Sequence, residues 1–139
     1  MGEEMKRILA GFCLLLLLTV PSLADNVEDQ ALATARQFAE LINAGNYAAA
    51  YWSASPLLQL ANAEDDWLDQ VERRHKVLGR VLERSLHKTR MVDSLAYLPD
   101  DNYQIIVFAS RTERKAKAIE TLILHKVNGI WQVCCYKFN

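Results

Sequence analysis

Two adjacent thiols, Cys134 and Cys135, sit in the closing segment WQVCCYKFN, where three kinds of chemistry deserve a test. A zinc site wants spaced ligands, usually two cysteines separated by two residues and joined by histidines. A thioredoxin-type redox pair has the same spacing, which is absent here. A disulfide between strand neighbours would distort the backbone, because successive side chains point to opposite faces. The expectation is therefore packing: both thiols free, one of them buried as a small hydrophobe.

The histidines offer little more. Glu72 and His75 stand at i, i+3 on one expected helix, a spacing that di-iron bundles use. Such sites need a second copy and further carboxylates on facing helices, so no metal is expected. His87 and His125 fall in expected strands without a sequence neighbour that could partner them, and they read as surface histidines. No Gly-x-Ser-x-Gly segment marks a nucleophile, and no glycine-rich loop could cradle a phosphate, so no cofactor is expected. The aromatic residues are the remaining candidates. Tyr47, Tyr51 and Trp52 cluster, and Trp67, Trp131 and Tyr136 stand elsewhere; they could line an apolar pocket or a partner surface. Their competing role is to fill the space between helices and sheet.

Elements that could position these groups follow from periodicity. Ala31, Ala35, Phe38 and Ile42 recur at three- and four-residue steps, predicting an amphipathic helix over residues 27–44. A short helical stretch over 47–52 and a restart at Ser55-Pro56, as N-cap and first helical residue, come next. A longer helix over 64–78 carries Trp67, Val71 and Leu78 on its inner stripe, with acids in its first turn and Gly79 at its end. The second half reads as strands over 81–92, 103–110, 119–127 and 130–138. Asn128-Gly129 between two apolar runs is a strong hairpin signal, because both positions need positive φ. Helices followed by a four-stranded antiparallel meander predict one α+β domain, with the helices on one sheet face.

Upstream, Lys6 and Arg7 precede an apolar run to Val20, then Pro21 and the small residues Ser22 and Ala24. That is the pattern of a cleaved secretory signal peptide over residues 1–24, cut after Ala24, leaving a domain over 25–139. The apolar run is short for a membrane span, which takes roughly 20 residues. A net charge of −1 gives no electrostatic case for nucleic acid. The charges separate along the chain: residues 25–78 are net −5 and residues 79–139 net +4.

Gly45, Tyr47, Ala54-Ser55, Trp67, Gly79, Arg84, Glu120, Trp131 and Tyr136 follow one another in an order that resembles a bacterial exported family, domain of unknown function 4019. The resemblance spans roughly residues 30–138, with departures at Tyr51, Lys76-Val77 and Cys135. It implies a cone-shaped fold of cystatin-like or nuclear-transport-factor-2-like type and carries over no activity. By analogy with such cones, an acid in an apolar pocket could transfer protons, with Tyr47, Tyr51, Asp66, Asp69 and His87 as the available groups. The acids lie in the first turns of a helix, where they usually face water. The expectation is a periplasmic or secreted non-catalytic binding domain, taking an envelope protein, a peptide or a small apolar ligand. The alternatives are a small proton-transfer enzyme and a homodimeric structural module.

Overall fold

The computed structural model describes residues 23–139, with side chains placed from Gln30 onward. The expected leader lies outside the described residues, apart from Leu23 and Ala24 at the start of the first helix. Among the described residues, no helix is long and apolar enough to cross a membrane.

Four helices precede four strands: α1 (Leu23–Asn43), α2 (Tyr47–Ser53), α3 (Pro56–Ala61), α4 (Glu64–Leu78), β1 (Val81–Val92), β2 (Tyr103–Thr112), β3 (Ala118–Val127) and β4 (Ile130–Phe138). The strands pair antiparallel in sequence order, as a meander. α1 buries Ala31, Ala35, Phe38 and Ile42 against the sheet, so the apolar stripe read from the sequence is the core face. From β2 and β3 it meets Ile106, Phe108, Leu122 and Leu124. Phe38 lies at the centre, its ring centroid 6.2 Å from Trp67 and 5.6 Å from Tyr136. Burying one such aromatic side chain contributes about 2–3 kcal/mol, so this cluster carries much of the core.

Local signals place the ends. Ser55 Oγ accepts the Leu57 N–H at 3.1 Å and so caps α3, with Pro56 at the first helical position. Asn128 and Gly129 take φ of 52° and 80°, giving the tight β3–β4 hairpin. Gly79 ends α4 at φ 80°, where a side chain would also meet Glu113 Cβ at 2.9 Å. In β2, Ile106 and Phe108 point to the helices, while Ile105, Val107 and Ala109 alternate to the other face. There they pair with Ile123, Thr121 and Ile119 of β3. The charge-rich β1 is an edge strand and mostly exposed, with Arg84 as the long side chain it turns inward.

α4 packs on α2 and α1 rather than closely on β4. α3 instead reaches β4, and the Ser55 N–H donates to the Val133 carbonyl at 2.8 Å. The gap this leaves beside β4 is where the site lies.

Candidate functional site

The six aromatic candidates do not share one pocket. Tyr51 is buried, and its hydroxyl donates to the Asn62 carbonyl at 2.8 Å, tying α2 to the end of α3. Trp131 is buried beneath Lys126, whose Nζ stands 5.3 Å from the ring centroid. Trp52 is exposed on α2 and donates to Glu64 Oε1 at 3.1 Å. Tyr47 is half-buried and bonds His75 Nδ1 at 2.7 Å. Burial lowers the His75 pKa, which favours the neutral ring. Tyr51 also packs on Trp52 and Trp67, centroids 5.3 and 5.7 Å apart, but of the six it is Trp67 and Tyr136 that line the gap between α4 and β4.

That gap is a cleft of about 510 Å3. Its floor is apolar, formed by Leu58, Trp67, Val71, Cys134 and Phe138, all buried. Its rim carries Arg73 and Arg74 from α4 and Lys137 from β4, and no Asp or Glu side chain lines it. None of the three cations forms an ion pair among the described residues. The cleft therefore joins a buried apolar floor to three cationic side chains that form no ion pair among the described residues.

Beside the cleft lies a buried polar cluster that pattern reading missed. Glu120, 1 % exposed, receives Arg84 Nε on Oε1 at 2.7 Å and Arg84 Nη2 on Oε2 at 3.2 Å. Ser110 Oγ donates to Oε1 at 2.9 Å, and the Tyr136 hydroxyl to Oε2 at 3.0 Å. Four donors fill the acceptor sites of an ionised carboxylate, leaving none for proton transfer. Burial and the neighbouring Glu120 push the Tyr136 phenol well above its ordinary pKa, which fixes it as a donor. The groups expected for an acid in a cone lie elsewhere: Asp66, Asp69 and His87 are exposed.

A second chain of polar groups runs from Ser55 through His125 to Asp101. Ser55 Oγ is 2.5 Å from His125 Nε2, and His125 Nδ1 is 3.0 Å from Asp101 Oδ2. His125 is buried and stacked on Tyr103, centroids 5.8 Å apart, which corrects the expectation of a surface histidine. The hydrogen bond from His125 holds the Asp101 carboxyl below its ordinary pKa. The order is that of a nucleophilic triad, but the surroundings differ. Ser55 is 0 % exposed, and the nearby Leu57 N–H is spent on its Oγ. An acyl carbonyl has neither access nor an oxyanion donor there.

Among the described residues, no group of three or more His, Cys, Asp or Glu is placed to hold a metal. Glu72 instead pairs with Lys76 at 3.2 Å. The thiols divide as strand neighbours should: Cys134 is buried and Cys135 exposed, both unbonded. A bulge between Ile123 and Leu124 lets Val133 and Cys134 both turn inward. Burial, reinforced by Cys135, raises the Cys134 thiol to about 12. The folded state thus favours the neutral thiol, a contribution complete below the ordinary pKa of 9.0 and lost as pH rises towards about 12. Urea midpoints are expected to fall across that window, and to fall less in Cys134→Ala. An unchanged slope in the variant would assign the alkaline loss to the other groups that burial raises, Cys135, Tyr47, Tyr103 and Tyr136.

The family described as "Protein of unknown function (DUF4019)" matches residues 34–136, from within α1 to near the end of β4. No curated protein matches the chain.

Proposed function

Because the chain belongs to this DUF4019 family of proteins of unknown function, we propose that it is an exported, non-catalytic binding domain of the cell envelope, with the α4–β4 cleft as its site. The observation that carries this reading is the cleft itself: an apolar floor under a rim of three cations that form no ion pair among the described residues. Pockets of this volume and mixed lining are of the size that takes ligands. The catalytic-looking groups lie outside it: Glu120 is saturated with donors, and Ser55 is sealed. Export is supported by the charged, apolar and small-residue order of residues 5–24.

Photo-crosslinking in the producing cells tests the site. A photoreactive residue replacing Gln70 or Val77, both exposed in the cleft, is expected to give one recurrent adduct, macromolecular or small. The same probe at Lys88 on exposed β1 should give none. Adducts distributed evenly over the three positions would remove the cleft as the binding site.

A further inference from the structure

We infer that the cleft takes an extended peptide segment carrying acidic side chains, added along β4 as a fifth strand; this rests on the cleft being the binding site. β4 is the last strand of the sheet, so one of its edges is unpaired. Ile119 and Asn139 exchange both backbone hydrogen bonds, at 2.9 and 3.0 Å. In an antiparallel ladder such pairs alternate with pairs that exchange none. By the register, Thr121↔Lys137 and Ile123↔Cys135 face each other through hydrogen bonds, while Leu122↔Tyr136 and Glu120↔Phe138 do not. Tyr136 and Phe138 therefore turn their N–H and C=O groups away from β3, towards the cleft that both residues line. These groups repeat every second residue, the spacing at which an incoming strand presents its own.

The fold closes this edge at one end and leaves it open at the other. Val133 C=O is already taken by the Ser55 N–H, so the free stretch begins after the bulge at Cys134. The opposite edge of the sheet is blunted differently. β1 carries Glu83, Lys88 and Arg90 and is itself bulged between Leu86 and Lys88, devices that discourage pairing. The β4 edge instead runs beside the wall formed by α4. An incoming strand would lay alternate apolar side chains against Trp67 and Val71 and turn its acids to the other face, where Lys137 lies. An amphiphile of single-chain carboxylate type fits the same floor and charge, but it makes no use of the outward backbone groups.

Calorimetry with three blocked hexapeptides and dodecanoate separates these occupants. The probes are EVEVEV, its lysine counterpart KVKVKV, and EVEVEV with alternate backbone nitrogens methylated. EVEVEV is expected to bind, to move the Tyr136 and Phe138 amide resonances, and to bind about tenfold or more weakly once methylated, since two or three backbone bonds are lost. KVKVKV should bind at least about tenfold more weakly, and so should EVEVEV to K137E, whose lysine makes no ion pair among the described residues. Equal binding of the methylated peptide would overturn strand addition. Binding of dodecanoate but not EVEVEV would overturn the peptide in favour of an amphiphile. Either result leaves the crosslinked cleft intact, whereas silence at Gln70 and Val77 in the crosslinking removes the site itself.

Discussion

Glu120→Ala is expected to cost about 3–5 kcal/mol, because it strands a buried guanidinium whose main partner is gone. Arg84 is 7 % exposed at its side chain and would retain only Glu40, whose carboxylate is 67 % exposed and screened by water. For a domain of this size the loss reads as a fall in Tm of roughly 10–20 °C. Glu120→Gln removes the charge, keeps the shape and still fails, since its amide nitrogen must face either an Arg84 nitrogen or a hydroxyl now donating to it. Arg84→Met alone should be nearly as costly, leaving a carboxylate held by two hydroxyls.

Combining Arg84→Met with Glu120→Leu should restore a large share of the loss, because two desolvated charges disappear together. A double-mutant cycle is expected to give a coupling of about 2 kcal/mol. Ser110 and Tyr136 would still lose their acceptor, so recovery should be incomplete until Tyr136→Phe is added. The surface pair Arg111–Glu83, with Nη2 to Oε1 at 3.0 Å, is the internal comparison: both side chains are largely exposed, and its removal should be barely measurable. If Glu120→Ala costs no more than that surface pair, the buried cluster does not hold the four strands together.

How far the sequence reaches is visible in this cluster. Spacing alone located α1, because Ala31, Ala35, Phe38 and Ile42 repeat at the helical period, and it located the β3–β4 turn, because Asn128-Gly129 has one good conformation. β1 shows no clean alternation because an edge strand with exposed faces has no reason to alternate. The partners of Glu120 lie 36, 10 and 16 residues away on three strands, and periodicity cannot join residues whose pairing depends on register. Two signals were present: Arg84, Glu120 and Tyr136 all stand among the landmarks of the family resemblance, and Glu120 shares the inward register of Ala118, Leu122 and Leu124, so a charge there had to find a buried partner. The cleft was less legible still. Trp67 and Tyr136 stood among six aromatic candidates, but which of them border a gap depends on α4 standing away from β4. His125 was misread for the same reason, since its partner Ser55 is 70 residues away.

Ser55→Ala should destabilise the fold by about 2–3 kcal/mol without touching any hydrolytic activity. The hydroxyl does two jobs at once: it accepts the Leu57 N–H as the α3 cap, and it bonds His125 Nε2. Deleting it leaves an orphaned helix donor and an orphaned ring nitrogen in a place water does not reach, since Ser55 is 0 % exposed and His125 7 %. Asp101→Asn should matter far less, because Asp101 is exposed and water can replace it at Nδ1. A catalytic relay would instead show itself in turnover, where losing the acid alone costs about 10⁴-fold whatever the stability. A fluorophosphonate probe gives the direct reading: the native protein should remain unlabelled at Ser55, because no path leads an electrophile to Oγ. Labelling of Ser55 in native buffer, abolished by His125→Ala, would turn the strut into an active site and displace binding as the function.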